Sequence, residues 1–303
     1  MPNITRLALY SVRCIFYALV PLLVLGAAIA VSCVLAFFIM KGVGDVIPFQ
    51  KMISKSTQLL LILSIFPAMK LLNIDKEQLG FAARPVFLKQ LLQGLGLGLL
   101  TLLPIFIVLY VLKINVFDAT KVWTLGSVLA KLGYTLFLAL LISLIEEPLF
   151  RGILLTGLRK KMPIALSIVV SAVYYSALHF LDNNVDISAH DVHFFTGFKL
   201  LKGAFLNVFN PMMFSSFISL MMVGIFLGIV RTQIKTSLGV CIGCHASWVW
   251  QIKMSKILFD TNIWSDYIYL VGSYDAIVGP LVTGWLLLEI IRYFVYQRIN
   301  KSR

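Results

Sequence analysis

Charge is what this chain has least of. Only 13% of its 303 residues are charged, against 60% hydrophobic, and the mean hydropathy is +0.94. That balance excludes a soluble globule, in which about a quarter of residues carry charge. Cysteine is scarce too: four residues, all in or beside apolar runs, provide no disulfide framework. No internal repeat, low-complexity tract or soluble domain stands out, so residues 1–303 read as a single membrane domain. The charge that is present leans one way, with 26 Lys and Arg against 13 Asp and Glu and a formal net charge of +13. Nucleic acid is set aside as a partner, because the basic residues lie between apolar runs rather than on one patch. Membrane topology and contact with anionic lipid account for them better.

Apolar runs of about 20 residues are what a bilayer core of about 30 Å demands of a helix. Eight such runs can be drawn: Cys14–Met40, Thr57–Leu72, Leu91–Leu112, Gly133–Leu158, Pro163–Leu181, Ala204–Val230, Thr236–Trp250 and Ala276–Val295. The expected fold is therefore all-α and polytopic, with about eight transmembrane helices around an intramembrane polar cavity. Val122–Lys131 reads as an interfacial lead-in to the fourth span. The first run is too long for a cleavable signal peptide and reads as a signal anchor. Arg6, Arg13, Lys76, Arg84, Lys89, Arg159, Lys160, Lys161, Arg231, Lys235, Arg292, Arg298, Lys301 and Arg303 fall on one side, against Lys41, Lys51, Lys55, Lys113, Lys121, Lys199, Lys202, Lys253 and Lys256 on the other, a modest bias. By the positive-inside rule, both termini are expected in the cytoplasm.

Against that background one cluster stands out: Glu146-Glu147-Pro148-Leu149-Phe150-Arg151, inside the fourth span. A charge at such depth costs roughly 2.5–3.5 kcal/mol on insertion scales, so the groups must face an interior and pair with something. Glu147 and Arg151 are four residues apart and can pair on one helical face. Glu146 points about 100° away from that face and has no local cation, which suits a general acid or base. Pro148 removes a backbone hydrogen bond and is expected to kink the helix beside Glu146. The plainer alternative is a Glu–Arg pair that only holds two helices together.

Depth adds partners. If the fourth and fifth spans turn near Lys161, Glu146 lies 15 residues before the turn and His179 lies 18 after it. At about 1.5 Å per residue both sit at comparable height, roughly 22–27 Å from the turn. His245, ten residues beyond Lys235, comes out roughly 15 Å from the same side, a mismatch that calls for tilt or a broken helix. The other two histidines, His190 and His193, lie in or beside the acidic loop Asp182–Asp191 and read as solvated. Cys241-Ile242-Gly243-Cys244-His245 matches a haem-attachment or redox pattern, but its place inside an apolar span argues against the first and the lack of a surrounding βαβ pattern against the second.

Taken together, Glu146-Glu147-x-x-x-Arg151, Tyr175-x-x-x-His179 and His245-x-x-x-Val249 resemble the CAAX-protease and bacteriocin-processing family of intramembrane proteases, of the type II CAAX prenyl endopeptidase kind. That family's usual pattern is EExxxR, FxxxH and Hxxx followed by Asn or a similar polar residue. The resemblance covers residues 133–251 and agrees with an eight-span fold. It implies an endopeptidase acting on a prenylated or membrane-associated precursor peptide. Glu146, His179 and His245 would be catalytic, with Glu147, Arg151, Tyr175 and Val249 in support. Two His and a Glu would also suit Zn²⁺ or another divalent metal, and the sequence leaves open whether one is used.

Two departures accompany the resemblance. Tyr175 for Phe is mild. Val249 removes a polar group that would help hold a substrate carbonyl, for which Gln251, Asn207 or Asn210 are the nearby substitutes. The alternatives are an inactive homologue serving as membrane scaffold or immunity-type factor, and a proton-coupled transporter. The lack of a convincing repeat counts against the transporter.

Overall fold

The computed structural model describes residues 4–44, 46–181, 187–234 and 236–301. Lys235 and Asp182–Asp186 lie outside the described residues, as does the side chain of Asn207. In chain order come α1 (Ile4–Val43), α2 (Phe49–Leu72), the short α3 (Lys76–Leu79), α4 (Arg84–Val111) and β1 (Asn115–Phe117). Next, α5 (Leu125–Glu147) runs through a π-helical stretch, Pro148–Leu154, into α6 (Leu155–Arg159). Then follow α7 (Ile164–His179), α8 (Thr196–Val208), α9 (Phe214–Gln233), α10 (Leu238–Leu258), β2 (Phe259–Thr261) and α11 (Pro280–Lys301).

The protein is an all-α integral membrane protein with one small antiparallel ribbon, β1 on β2. Among the described residues, five segments are long and apolar enough to cross a bilayer: Tyr10–Gly42, Phe49–Leu72, Lys76–Val111, Leu125–Arg159 and Pro211–Gln233. Ile164–His179 is apolar but shorter. Large apolar side chains such as Leu23, Phe66, Leu100 and Phe137 stand on the outside, as a lipid-facing surface requires.

One expectation from the sequence needs correction, and two more gain detail. Ala204–Val230 is not one helix: it breaks between α8 and α9 at Asn210-Pro211, where Asn210 accepts from the Met212 N–H and Pro211 has no N–H to give. Val122–Lys131 leads into the fourth span largely as part of the same helix. Most of it is the first turns of α5, started by a capping box between Thr124 and Ser127. Finally, α10 and α11 are less apolar than the five segments above. For α10 the reason is its place in the fold, since Leu238–Trp248 is buried at every position and needs no apolar coat against lipid.

What brings α10 so deep is its crossing with α4. Gly94 on α4 faces Gly243 on α10 and Gly98 faces Ser247, while Gly239 packs on Gln90 and Phe87, so the close contacts recur every fourth position. A Cβ added at Gly94 would overlap the Val240 carbonyl, and one at Gly243 would overlap the Leu91 carbonyl. Backbones this close are the membrane route to tight helix pairing through van der Waals contact. Two buried donors stitch the crossing: Trp248 Nε1 to Thr101 Oγ1 at 2.8 Å, and Gln251 Nε2 to the Gly98 carbonyl at 3.0 Å. Gly94→Leu is accordingly expected to separate α4 from α10 and to destabilise by more than the ~1–3 kcal/mol of ordinary overpacking. A thermal melt in detergent checks it. Gly96→Leu, at a position with open space around it, serves as the control.

At the far ends of α4 and α10, the ribbon and its loop tie the two helices together. Asn115 Nδ2 donates to Ser255 Oγ at 3.2 Å, and Asp118 pairs with Lys121 at 2.6 Å. The Lys121 ammonium and Thr120 hold the Asp118 carboxyl down at about 2. Since that value is depressed, the clasp contributes above the ordinary carboxylate range and is lost only as pH falls through about 2.

Candidate active site

Pro148 sets the site's local geometry. It cannot donate to the carbonyl one turn back and its ring crowds that carbonyl, so the α-helix gives way to the wider π-turn from Pro148 to Leu154. Within the widened turn the Phe150 carbonyl accepts from the Leu155 N–H and also from Ser171 Oγ on α7, the latter at 3.3 Å. The expected disturbance beside Glu146 is thus a π-helical segment that docks α7.

The same segment resolves the height of His245 without breaking α10. Gly152 packs against Leu79, and the next residue, Gly80, accepts from the Leu238 N–H at 3.0 Å. The start of α10 therefore sits level with Gly152, five residues from Glu147. His245 lies seven residues into α10, about 10 Å at helical rise, which brings it beside the two glutamates. A strap made by α3 raises the start of α10, and Arg231 holds that strap by donating to the Gln78 carbonyl at 2.7 Å.

Glu147 and Arg151 pair as expected, Nη1 to Oε1 at 2.9 Å, with side-chain exposures of 0% and 1%. The same Glu147 oxygen accepts from His245 Nδ1 at 2.8 Å. A carboxylate can only accept, so Nδ1 carries a proton, and in the neutral ring Nε2 is then the acceptor nitrogen. That nitrogen lies 3.9 Å from Glu146 Oε2, too long for a direct hydrogen bond but short enough for one water to touch both. Glu146 itself is 26% exposed. On α7, His179 Nδ1 donates to the Tyr175 carbonyl at 2.8 Å, which leaves its Nε2 free by the same reasoning.

Tyr175 is the packing hub of this group. Its ring lies 4.6 Å from the His179 ring and 6.1 Å from that of His245, and the Arg151 guanidinium sits 4.3 Å above it. The aromatic position one turn before His179 thus orients three polar side chains by edge and cation–π contacts.

Glu146, Tyr175, His179, His245 and Val249 all line one cavity of about 510 Å³. Its further walls from α4, α9 and α11 are mainly apolar, while Lys253 and Lys256 of α10 and Asp275 of the loop before α11 add polar groups. Glu147 and Arg151 do not line it; they stand behind His245. None of the suggested substitutes for a polar residue at 249 is shown to reach the cavity. The Gln251 amide is committed to Gly98 and Ser247, and Asn210 to its own turn. His190 and His193 are exposed, and Cys241 and Cys244 are fully buried. Among the described residues, no three His, Cys, Asp or Glu side chains are gathered closely enough to hold one metal ion. The proposed set of Glu146, His179 and His245 does not fit such an ion as it stands.

The sequence alone missed the bond from His245 to Glu147 and the whole far wall of the cavity. Lys253 was within reach, because His245, Val249 and Lys253 repeat every fourth residue on one face. The contribution of α11 had no local signal.

Residues 127–251 match the model of the Rce1-like family, described as type II CAAX prenyl endopeptidase Rce1-like. No curated protein and no solved structure matches the chain. The matched segment holds every side chain of the Glu146–His179–His245 group and ends just past Val249. Such a family implies an intramembrane protease with peptide or protein substrates. Over the segment 127–251 the chain is similar to the CAAX-protease family in its Rce1-like form.

Proposed function

We propose that this protein is an intramembrane endopeptidase in which Glu146 activates the attacking water. One observation carries the reading: three helices bring Glu146, His179 and His245 to one cavity, while Glu147 is already engaged by Arg151 and His245. Glu146 lines the cavity, which Glu147 does not, and its Oε2 has no protein partner among the described residues. A water between Glu146 Oε2 and His245 Nε2 donates one hydrogen to each acceptor, which aims its lone pair at a carbonyl carbon in the cavity. As the oxygen bonds to that carbon, Glu146 takes the proton and the carbonyl oxygen gains the negative charge. Collapse of the tetrahedral species breaks the C–N bond, and the proton passes from Glu146 to the leaving amine. Glu147 keeps the His245 tautomer fixed, with Arg151 offsetting its charge. His179 orients the peptide or the intermediate from the opposite side.

The apolar walls favour a peptide carrying a lipid or apolar segment, prenylated or membrane-anchored. We also read eight crossings, formed by α1, α2, α4, α5–α6, α7, α9, α10 and α11, with both termini cytoplasmic and the chain acting as one domain. Purified protein in liposomes, incubated with a farnesylated peptide ending in Cys-aliphatic-aliphatic-X and with unmodified precursor peptides, tests the reading. Cleavage is the expected result. Absence of cleavage on every peptide would favour the scaffold.

Val249 bears on rate. The transition-state oxyanion needs donors, and both free histidine nitrogens are acceptors in the neutral rings. Val249→Asn places an amide on the face shared with His245 and is expected to raise kcat by at most about 10²-fold. Single-turnover cleavage measures it, and an unchanged rate would show that position 249 does not meet the carbonyl.

A further inference from the structure

The cavity contains a donor that the mechanism above does not use. Trp285 on α11 lines the same cavity as Glu146 and Val249, and its indole Nε1 is buried without an acceptor among the described residues. The chain's other tryptophans differ. Trp248 Nε1 donates to Thr101 Oγ1, Trp250 Nε1 to the Leu132 carbonyl and Trp123 Nε1 to the Asp118 carbonyl, while Trp264 is 87% exposed. A buried indole N–H ordinarily finds a partner, and leaving one unmade is unfavourable. The helix that carries it has other uses for its apolar face: Val282 and Leu286, on either side of Trp285, are buried in the main hydrophobic cluster. An aromatic ring there needs no N–H to pack.

We propose that Trp285 is a substrate-binding residue whose Nε1–H donates to a main-chain carbonyl of the peptide in the cavity. The inference rests on the endopeptidase reading, because it takes the ligand to be a peptide. Its logic is one of supply. The cavity's two histidines present acceptors, position 249 presents a methyl surface, and a peptide brings one carbonyl per residue that must lose its water on entry. Trp285 meets that need from the wall that lies outside the segment 127–251, so α11 becomes part of the substrate site rather than a peripheral helix.

Trp285→Phe keeps the aromatic ring and removes only the donor. The expected effect is a roughly 3- to 10-fold fall in kcat/KM, the size of one neutral hydrogen bond. The second measurement needs no turnover. Glu146→Gln protein labelled with ¹⁵N-tryptophan is titrated with the farnesylated peptide, and the indole resonance that vanishes in Trp285→Phe is followed. It is expected to move downfield on peptide addition while that of Trp250 stays in place. A purely packing role would move neither kcat/KM nor this resonance. If Trp285→Phe cleaves like the wild type and the resonance stays still, with wild-type cleavage intact, the inference fails and the endopeptidase reading stands. If the wild-type protein neither cleaves nor binds the peptide, both fail together.

Discussion

Glu146→Gln is expected to lower cleavage by about 10²–10⁴-fold, the usual range for losing a general acid–base group, and to leave the fold intact. The two halves of that expectation have separate causes. Gln keeps the shape of Glu but cannot take a proton from water, so the chemical step loses its base. Stability is spared because Glu146 holds no ion pair within hydrogen-bond reach: its nearest cationic candidate, His245 Nε2, is 3.9 Å away. One of its oxygens also lacks any protein partner, so removing its charge frees no buried cation. Single-turnover cleavage and a thermal melt, run on the same preparation, give the two readouts. Near-normal turnover would remove Glu146 from the mechanism. A collapse in stability would instead return it to the role of a structural carboxylate.

Arg151→Ala is expected to do the reverse and act first on stability. Its guanidinium is 1% exposed and paired with a carboxylate that is 0% exposed. Breaking a buried pair by removing one partner leaves the other charge uncompensated and typically costs about 3–5 kcal/mol. The loss also takes away the cation above Tyr175, the ring that orients both histidines. A second variant separates structure from chemistry. Replacing both partners, Glu147→Leu with Arg151→Met, leaves no stranded charge, and apolar replacement of a buried pair is often neutral or stabilising. The double variant should therefore regain much of the melting temperature lost by Arg151→Ala. It should still fail to cleave, because His245 Nδ1 has lost the acceptor that fixes its tautomer. Recovered stability together with recovered activity would show that Glu147 does not position His245.

The sequence by itself determined the class of molecule and the identity of the polar group within it. An apolar composition with few charges permits a membrane protein and little else, and a charge cluster inside an apolar span must be paired and face inward. Glu147 with Arg151 was legible from a spacing of four residues, because helical periodicity is local. So was the disturbance at Pro148, although its π-helical form was not, since nothing local says which carbonyl will find a new donor. What only the tertiary structure decided was how separate helices meet. His245 reaches Glu147 because Gly94 and Gly98 let α4 and α10 close on each other and because the α3 strap lifts the start of α10 to the level of Gly152. The break at Asn210-Pro211 and the far wall with Trp285 were hidden for the same reason. Hydropathy reports whether a segment prefers lipid, but a helix wrapped by its neighbours, such as α10, answers to them instead, and contacts between residues a hundred positions apart leave no periodic trace in either segment.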